Sequence, residues 1–101
     1  MSTTKVYRNF VIKKLEQTPF TITSRPMMGG YLLYADGVLF GGFYGGDRFL
    51  IKITETNADF GLPEEIPYEG SKKTMYQIED LEDMKKEAEI IEATLKGLKK
   101  R

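Results

Sequence analysis

Three sets of residues have the types and spacing to do chemistry. Gly29-Gly30, Gly41-Gly42 and Gly45-Gly46 form three glycine doublets between Arg25 and Gly46, and glycine-rich loops can cradle phosphate through backbone N–H groups. Glu64-Glu65 and the cluster Glu79, Asp80, Glu82 and Asp83 supply carboxylates of the kind that hold a divalent cation. Arg25, Arg48 and Lys52 are cations that could converge on an anion.

The phosphate reading of the glycines fails on spacing. "GGFYGG" matches neither G-x-G-x-x-G nor G-x-x-x-x-G-K-[ST], and no strand leads through these glycines into a helix. They fit sheet architecture better, as a strand entry at Gly29-Gly30, a flat strand middle at Gly41-Gly42 and a tight turn at Gly45-Gly46. The carboxylates match no EF-hand spacing, and acidic runs in loops and first helical turns are usually solvated, so no metal site is expected. Lys52 emerges from mid-strand, where a lysine either binds an anion or shields the sheet from association.

Absent residue types narrow the chemistry further. The 101-residue chain has no Cys and no His. A thiolate nucleophile, a disulfide framework and the commonest general base near neutral pH are therefore excluded. Asp, Glu, Lys and Tyr are left as acids and bases, and no spacing gathers them, so the reading is non-enzymatic with no cofactor. Net charge is zero, with seven basic and three acidic residues up to Ile53 against eight and twelve from Thr54 onward. That mild asymmetry is no nucleic-acid stripe, and direct nucleic-acid binding is not expected. "MSTTKVYRNF" has no apolar core of a signal peptide and no window suits a membrane span, so the expected location is the cytoplasm.

The elements that would position these residues follow from periodicity. Tyr7, Phe10, Val11 and Leu15 predict one face of a helix over 5–17, stopped by Pro19. "TITSRPM" reads as a short strand whose Pro26 places it at a sheet edge or at the strand's end. Asp36-Gly37 and Gly45-Gly46 then read as two-residue turns linking three strands. With both turns of that length, Tyr31, Leu33, Ala35, Val38, Phe40, Gly42, Phe49, Ile51 and Ile53 share the core face. Leu32, Tyr34, Leu39, Gly41, Phe43, Arg48, Leu50 and Lys52 share the other, which is too apolar for plain solvent. Thr54 is expected to cap a short helix over 55–60, followed by a Gly/Pro loop to "TMYQI", the last strand. From about Asp80 a long helix carries Leu81, Met84, Ala88, Ile91, Leu95 and Leu98 along one seam, with acidic residues at its start and basic ones at its end. The stepping suits a core face and also a contact between two helices of a dimer. The fold class is α+β, one domain over 1–101, with an antiparallel sheet of four to five strands between an N-terminal and a long C-terminal helix.

"SRPMMGGYLLYADGVLFGG" followed by "DRFLIKITETNADF" resembles the N-terminal domain of the TfoX/Sxy family, bacterial regulators of competence for DNA uptake. The matching positions are Arg25, Met27, Gly29, Gly30, Tyr31, Asp36, Gly37, Phe40, Leu50, Lys52, Asn57 and Phe60, with Met28 where the family pattern has Phe. "YQIED" lacks the family's proline after the closing strand. The likeness spans nearly the whole chain and stops short of the second domain of the full-length regulators, so a stand-alone N-terminal-type domain is expected. The resemblance implies a secretion-chaperone-like fold and a non-catalytic regulatory role beside a transcription factor. Partner contact, to another protein or to a second copy, is expected on Leu32, Tyr34, Leu39, Gly41, Phe43 and Leu50, with Gly41 as a shallow dip. The alternative is a small-molecule or anion-binding module at Arg25, Arg48 and Lys52.

Overall fold

The computed structural model describes residues 3–99 and has the expected α+β architecture. Helix α1 (Lys5–Leu15) precedes strands β1 (Ile22–Met27), β2 (Gly30–Ala35), β3 (Val38–Tyr44) and β4 (Arg48–Ile51). A 3-10 turn (Ala58–Phe60), β5 (Glu64–Glu65), β6 (Met75–Ile78) and helix α2 (Met84–Lys99) complete it. The strands form one antiparallel sheet in the order β1-β2-β3-β4-β6-β5. The sixth strand is the two-residue β5, hidden in the sequence between prolines, which pairs only with β6. Pro26 lies on the edge strand β1, where its missing N–H leaves no ladder bond unmade.

Both helices cover one face of the sheet. Val11 and Leu15 of α1, and Ile90, Ile91 and Leu95 of α2, join Leu33, Phe40, Phe43, Phe49, Ile51, Tyr76 and Ile78 in one core. Phe43 is its aromatic hub, edge-on to Tyr7, Tyr31 and Phe49 at 5.6, 6.3 and 5.8 Å between ring centroids. The Thr4 hydroxyl caps α1 by accepting from the Tyr7 N–H, and Asp47 in turn accepts from the Thr4 N–H. The buried stripe of α1 runs through Val11 and Leu15 but leaves Phe10 half-exposed, contrary to the face expected for it.

Helix α2 begins later than its pattern suggests. Asp80 accepts from the Glu82 N–H and closes a turn, and Asp83 accepts from the Lys86 N–H as the cap. Leu81 is buried ahead of the helix. The apolar seam packs inside the fold through Leu81, Ile91 and Leu95, while Met84, Ala88 and Leu98 are partly buried. Asn57 anchors the chain between β4 and α2. Its amide donates to the Lys52 carbonyl and the Thr94 hydroxyl, and its carbonyl oxygen accepts from the Thr54 N–H. Thr54 reciprocates by accepting from the Asn57 N–H, the reciprocal cap of a helix start, although only a 3-10 turn follows.

Two one-residue offsets set the faces of β3. Leu33 pairs with Gly41 and Tyr34 with Leu39, which leaves Phe40 as a bulge residue between them. The β3–β4 turn contains three residues, Gly45, Gly46 and Asp47, because Tyr44 pairs with Arg48. Gly41 and Phe43 therefore lie on the core side, paired with Ile51 and Phe49. Gly42 moves to the outer face between Leu32 and Leu50, opposite to the arrangement expected from two-residue turns.

Candidate functional site

The sheet face turned away from the helices is built by alternation. Thr23, Arg25 and Met27 of β1, Leu32 and Tyr34 of β2, and Leu39, Gly42 and Tyr44 of β3 point that way. Arg48 and Leu50 of β4, with Met75 and Gln77 of β6, complete it. The segment 66–74 returns over one half of this face, and Arg48 fastens it there. Its guanidinium donates to the carbonyls of Tyr44, Ile66 and Pro67 at 3.3, 3.0 and 3.0 Å. Leu50 is fully buried, whereas Leu32, Tyr34 and Leu39 on the other half are half-buried.

The returning segment makes two clefts that share Tyr44, Pro67 and Tyr68 as a common wall. The first, of about 640 Å³, is mainly apolar and lies against Met27, Met28, Gly30 and Tyr68. At its rim Met28 is completely exposed and Tyr68 is 63% exposed. Met28 also holds φ at +34°, a left-handed conformation that a side chain adopts at a cost of about 1 kcal/mol. The second cleft, of about 680 Å³, is lined by Lys52, Lys72, Lys73, Glu64 and Thr74 and floored by Met75. Glu64 accepts there from the Thr74 hydroxyl at 2.7 Å.

The residues expected to act together are distributed as follows. Arg25, Leu32, Gly42 and Leu50 form one row across four strands, so Arg25 sits three strand spacings from β4. Arg48 is committed to backbone carbonyls, and only Lys52 of the three cations enters the second cleft. Convergence of Arg25, Arg48 and Lys52 on one anion is thus replaced by Lys52 with Lys72 and Lys73. Of the six residues expected to dock a partner, Leu32, Tyr34, Leu39 and Leu50 share the outer face, but Phe43 is fully buried on the core side and Gly41 faces the core beside it.

The motif residues mostly shape backbone. Met27 and Gly30 line the apolar cleft, Gly29 and Gly37 take positive φ in turns, and Tyr31 lies under the Arg8 guanidinium at 4.9 Å. Asp36 accepts from the Thr21 N–H at 2.8 Å. Phe40 is the bulge residue, and its carbonyl accepts from the Lys52 N–H at 2.9 Å. Missing from the sequence reading were Tyr44, Tyr68, Lys72 and Lys73. Adjacent lysines in a Gly/Pro loop were visible, but nothing marked the loop as returning over the sheet.

Three titratable groups are perturbed, on three separate elements. Tyr7 of α1 is pushed up to about 12 by burial and then by the Asp47 carboxylate. Tyr44 is raised by burial and by the adjoining Tyr68, which keeps its hydroxyl a donor. Glu87 of α2 is raised to about 7 by burial and by Asp80 and Asp83, against the opposing charge of Lys86. Its Oε1 is buried without a hydrogen-bond partner. Among the described residues no group of three or more Asp or Glu side chains is placed to share a cation, and no helix is long and apolar enough to cross a membrane. In comparisons with known proteins, the chain matches no family model, no curated protein and no solved structure.

Proposed function

We propose that this chain is a non-catalytic contact module that works through the outer sheet face at the rim of the apolar cleft. Met28 carries the reading. A residue that is strained, apolar and in full contact with water contributes nothing to the fold that asparagine or glycine would not do better there. Its side chain is explained by a contact outside the monomer. Tyr68, 63% exposed, extends the same rim, and Leu32, Tyr34 and Leu39 extend the face. The dispersal of Tyr7, Tyr44 and Glu87 over three elements supports a role without catalysis, since acid–base work needs such groups around one reacting atom.

The first partner we assign is a second copy of this chain. An exposed knob and an apolar cleft lie side by side on one surface, and a two-fold contact pairs each with its counterpart. The resemblance to the TfoX/Sxy N-terminal domain supports the same reading at a broader level: a secretion-chaperone-like module that regulates by protein contact, in a pathway connected with competence or transcription. Sedimentation velocity from micromolar to millimolar concentration tests it. Wild type is expected to show a concentration-dependent dimer that Met28→Asn and Tyr68→Asp both lose. A monomer throughout, or a dimer indifferent to both substitutions, overturns the assignment.

A further inference from the structure

We infer that the second cleft is a binding site for a small polyvalent anion, carrying two or more phosphate or carboxylate groups, with Lys52 as its fixed cation. The site lies across the Tyr44–Pro67–Tyr68 wall from the Met28 rim, and its lysines stand whether or not that rim makes a contact.

The register of β3 and β4 continues one pair past the end of β4, where the Phe40 carbonyl accepts the Lys52 N–H at 2.9 Å. On its other side the Lys52 carbonyl accepts from the buried Asn57 amide at 2.8 Å. Lys52 is past the last residue of β4, yet its backbone is held from both sides. A backbone fixed on both sides holds the half-buried Lys52 at the cleft that it lines.

Lys72 and Lys73 reach the same cleft from a turn that is itself pinned. The Ser71 hydroxyl accepts from the Lys73 N–H and donates to the Lys73 carbonyl, and the Ser71 N–H donates to the Tyr68 carbonyl. Three lysines from two chain segments thus line the cleft with one carboxylate, Glu64, which accepts from the Thr74 hydroxyl and leaves the positive charge in excess. Like charges gathered in a concave, partly apolar hollow repel one another and attract a counter-ion of matching valence. Tyr44 and Tyr68 line its wall. A volume of about 680 Å³ suits a ligand with a body as well as a charged group.

The test is an NMR titration of the isotopically labelled chain with pyrophosphate, and separately with citrate, at matched ionic strength against sodium chloride. Saturable shifts are expected at the amides of Lys52, Lys72, Lys73 and Thr74. Saturation by pyrophosphate alone assigns a phosphate ligand, and saturation by citrate as well extends it to polycarboxylates. Lys52→Met, which keeps most of the apolar stem, is expected to weaken binding about tenfold or more, as loss of a charge-assisted contact does. Lys13→Met, on the exposed side of α1, should leave it unchanged. The exposed double variant Lys72→Gln/Lys73→Gln should weaken binding with the fold intact. Linear shifts equal to those in sodium chloride, or full affinity in Lys52→Met, would overturn the site.

Discussion

The turns Asp36-Gly37 and Met28-Gly29 share one backbone and differ in everything else. Both place their two central residues at positive φ, +51° and +81° in the first and +34° and +84° in the second. That is the type I′ geometry, which fits the twist of a two-residue hairpin and favours Asn or Asp followed by Gly. Asp36 obeys the rule and also accepts a hydrogen bond from Thr21. Met28 breaks it and has its side chain wholly in water. One turn is therefore explained by folding alone. The other keeps a residue that folding disfavours, which is the pattern expected where function overrides local preference.

The residues after the two turns extend the contrast. Val38 follows the first and Gly30 the second. A Cβ at Gly30 would run into the carbonyl of Phe43 in the neighbouring strand, so glycine is required there for space. Gly30→Ala is the largest effect expected, a loss of about 3 kcal/mol or more from forced strand separation, measured by urea unfolding. A loss under about 1 kcal/mol would mean that the sheet yields more easily than its packing implies.

Glu87 is a second residue that breaks a local rule, and pH exposes it. Its folded-state pKa, raised to about 7, lies above the value of 4.5 usual for the carboxyl, so between those values the folded chain holds a proton that the unfolded chain has released. Its stabilising contribution is complete below the lower value and is lost as pH rises through the upper one. Between pH 5 and pH 8 the loss should be on the order of 2 kcal/mol, and Glu87→Gln should remove most of it. An unchanged pH profile in that variant would show that the charge is solvated. The exchange Asp36→Met tests the first turn directly. Losing the bond to Thr21 and a residue suited to positive φ should cost about 1 to 2 kcal/mol, seen as a lower thermal midpoint.

Much of the fold was legible because its signals are local. Asp36-Gly37, Pro26 and the periodicity of Ile91 and Leu95 each specify a turn, an edge or a buried face through their own chemistry. The faces of β3 were not legible. In "VLFGGFY" no charged residue marks an outward position, so a bulge at Phe40 and a third turn residue at Asp47 leave no trace in the pattern. Each offset of one residue exchanges the two faces, and that is why Gly41 and Phe43 move inside while Gly42 moves out. The site suffered from a different blindness. Lys52 could be singled out, but its companions Lys72 and Lys73 are brought to it by a return of the chain that Arg48 secures through backbone carbonyls. Carbonyl partners have no residue type, so the sequence cannot announce them.

The smallest expected change in stability bears most directly on function. Met28→Asn replaces a disfavoured residue with one suited to the left-handed conformation, and it should stabilise the monomer by about 0.5 to 1 kcal/mol. The decisive measurement takes the unfolding free energy and the sedimentation of this one variant from the same preparation. The expected result is a more stable chain that no longer self-associates. A variant that is less stable than wild type, or equally able to dimerise, would contradict it.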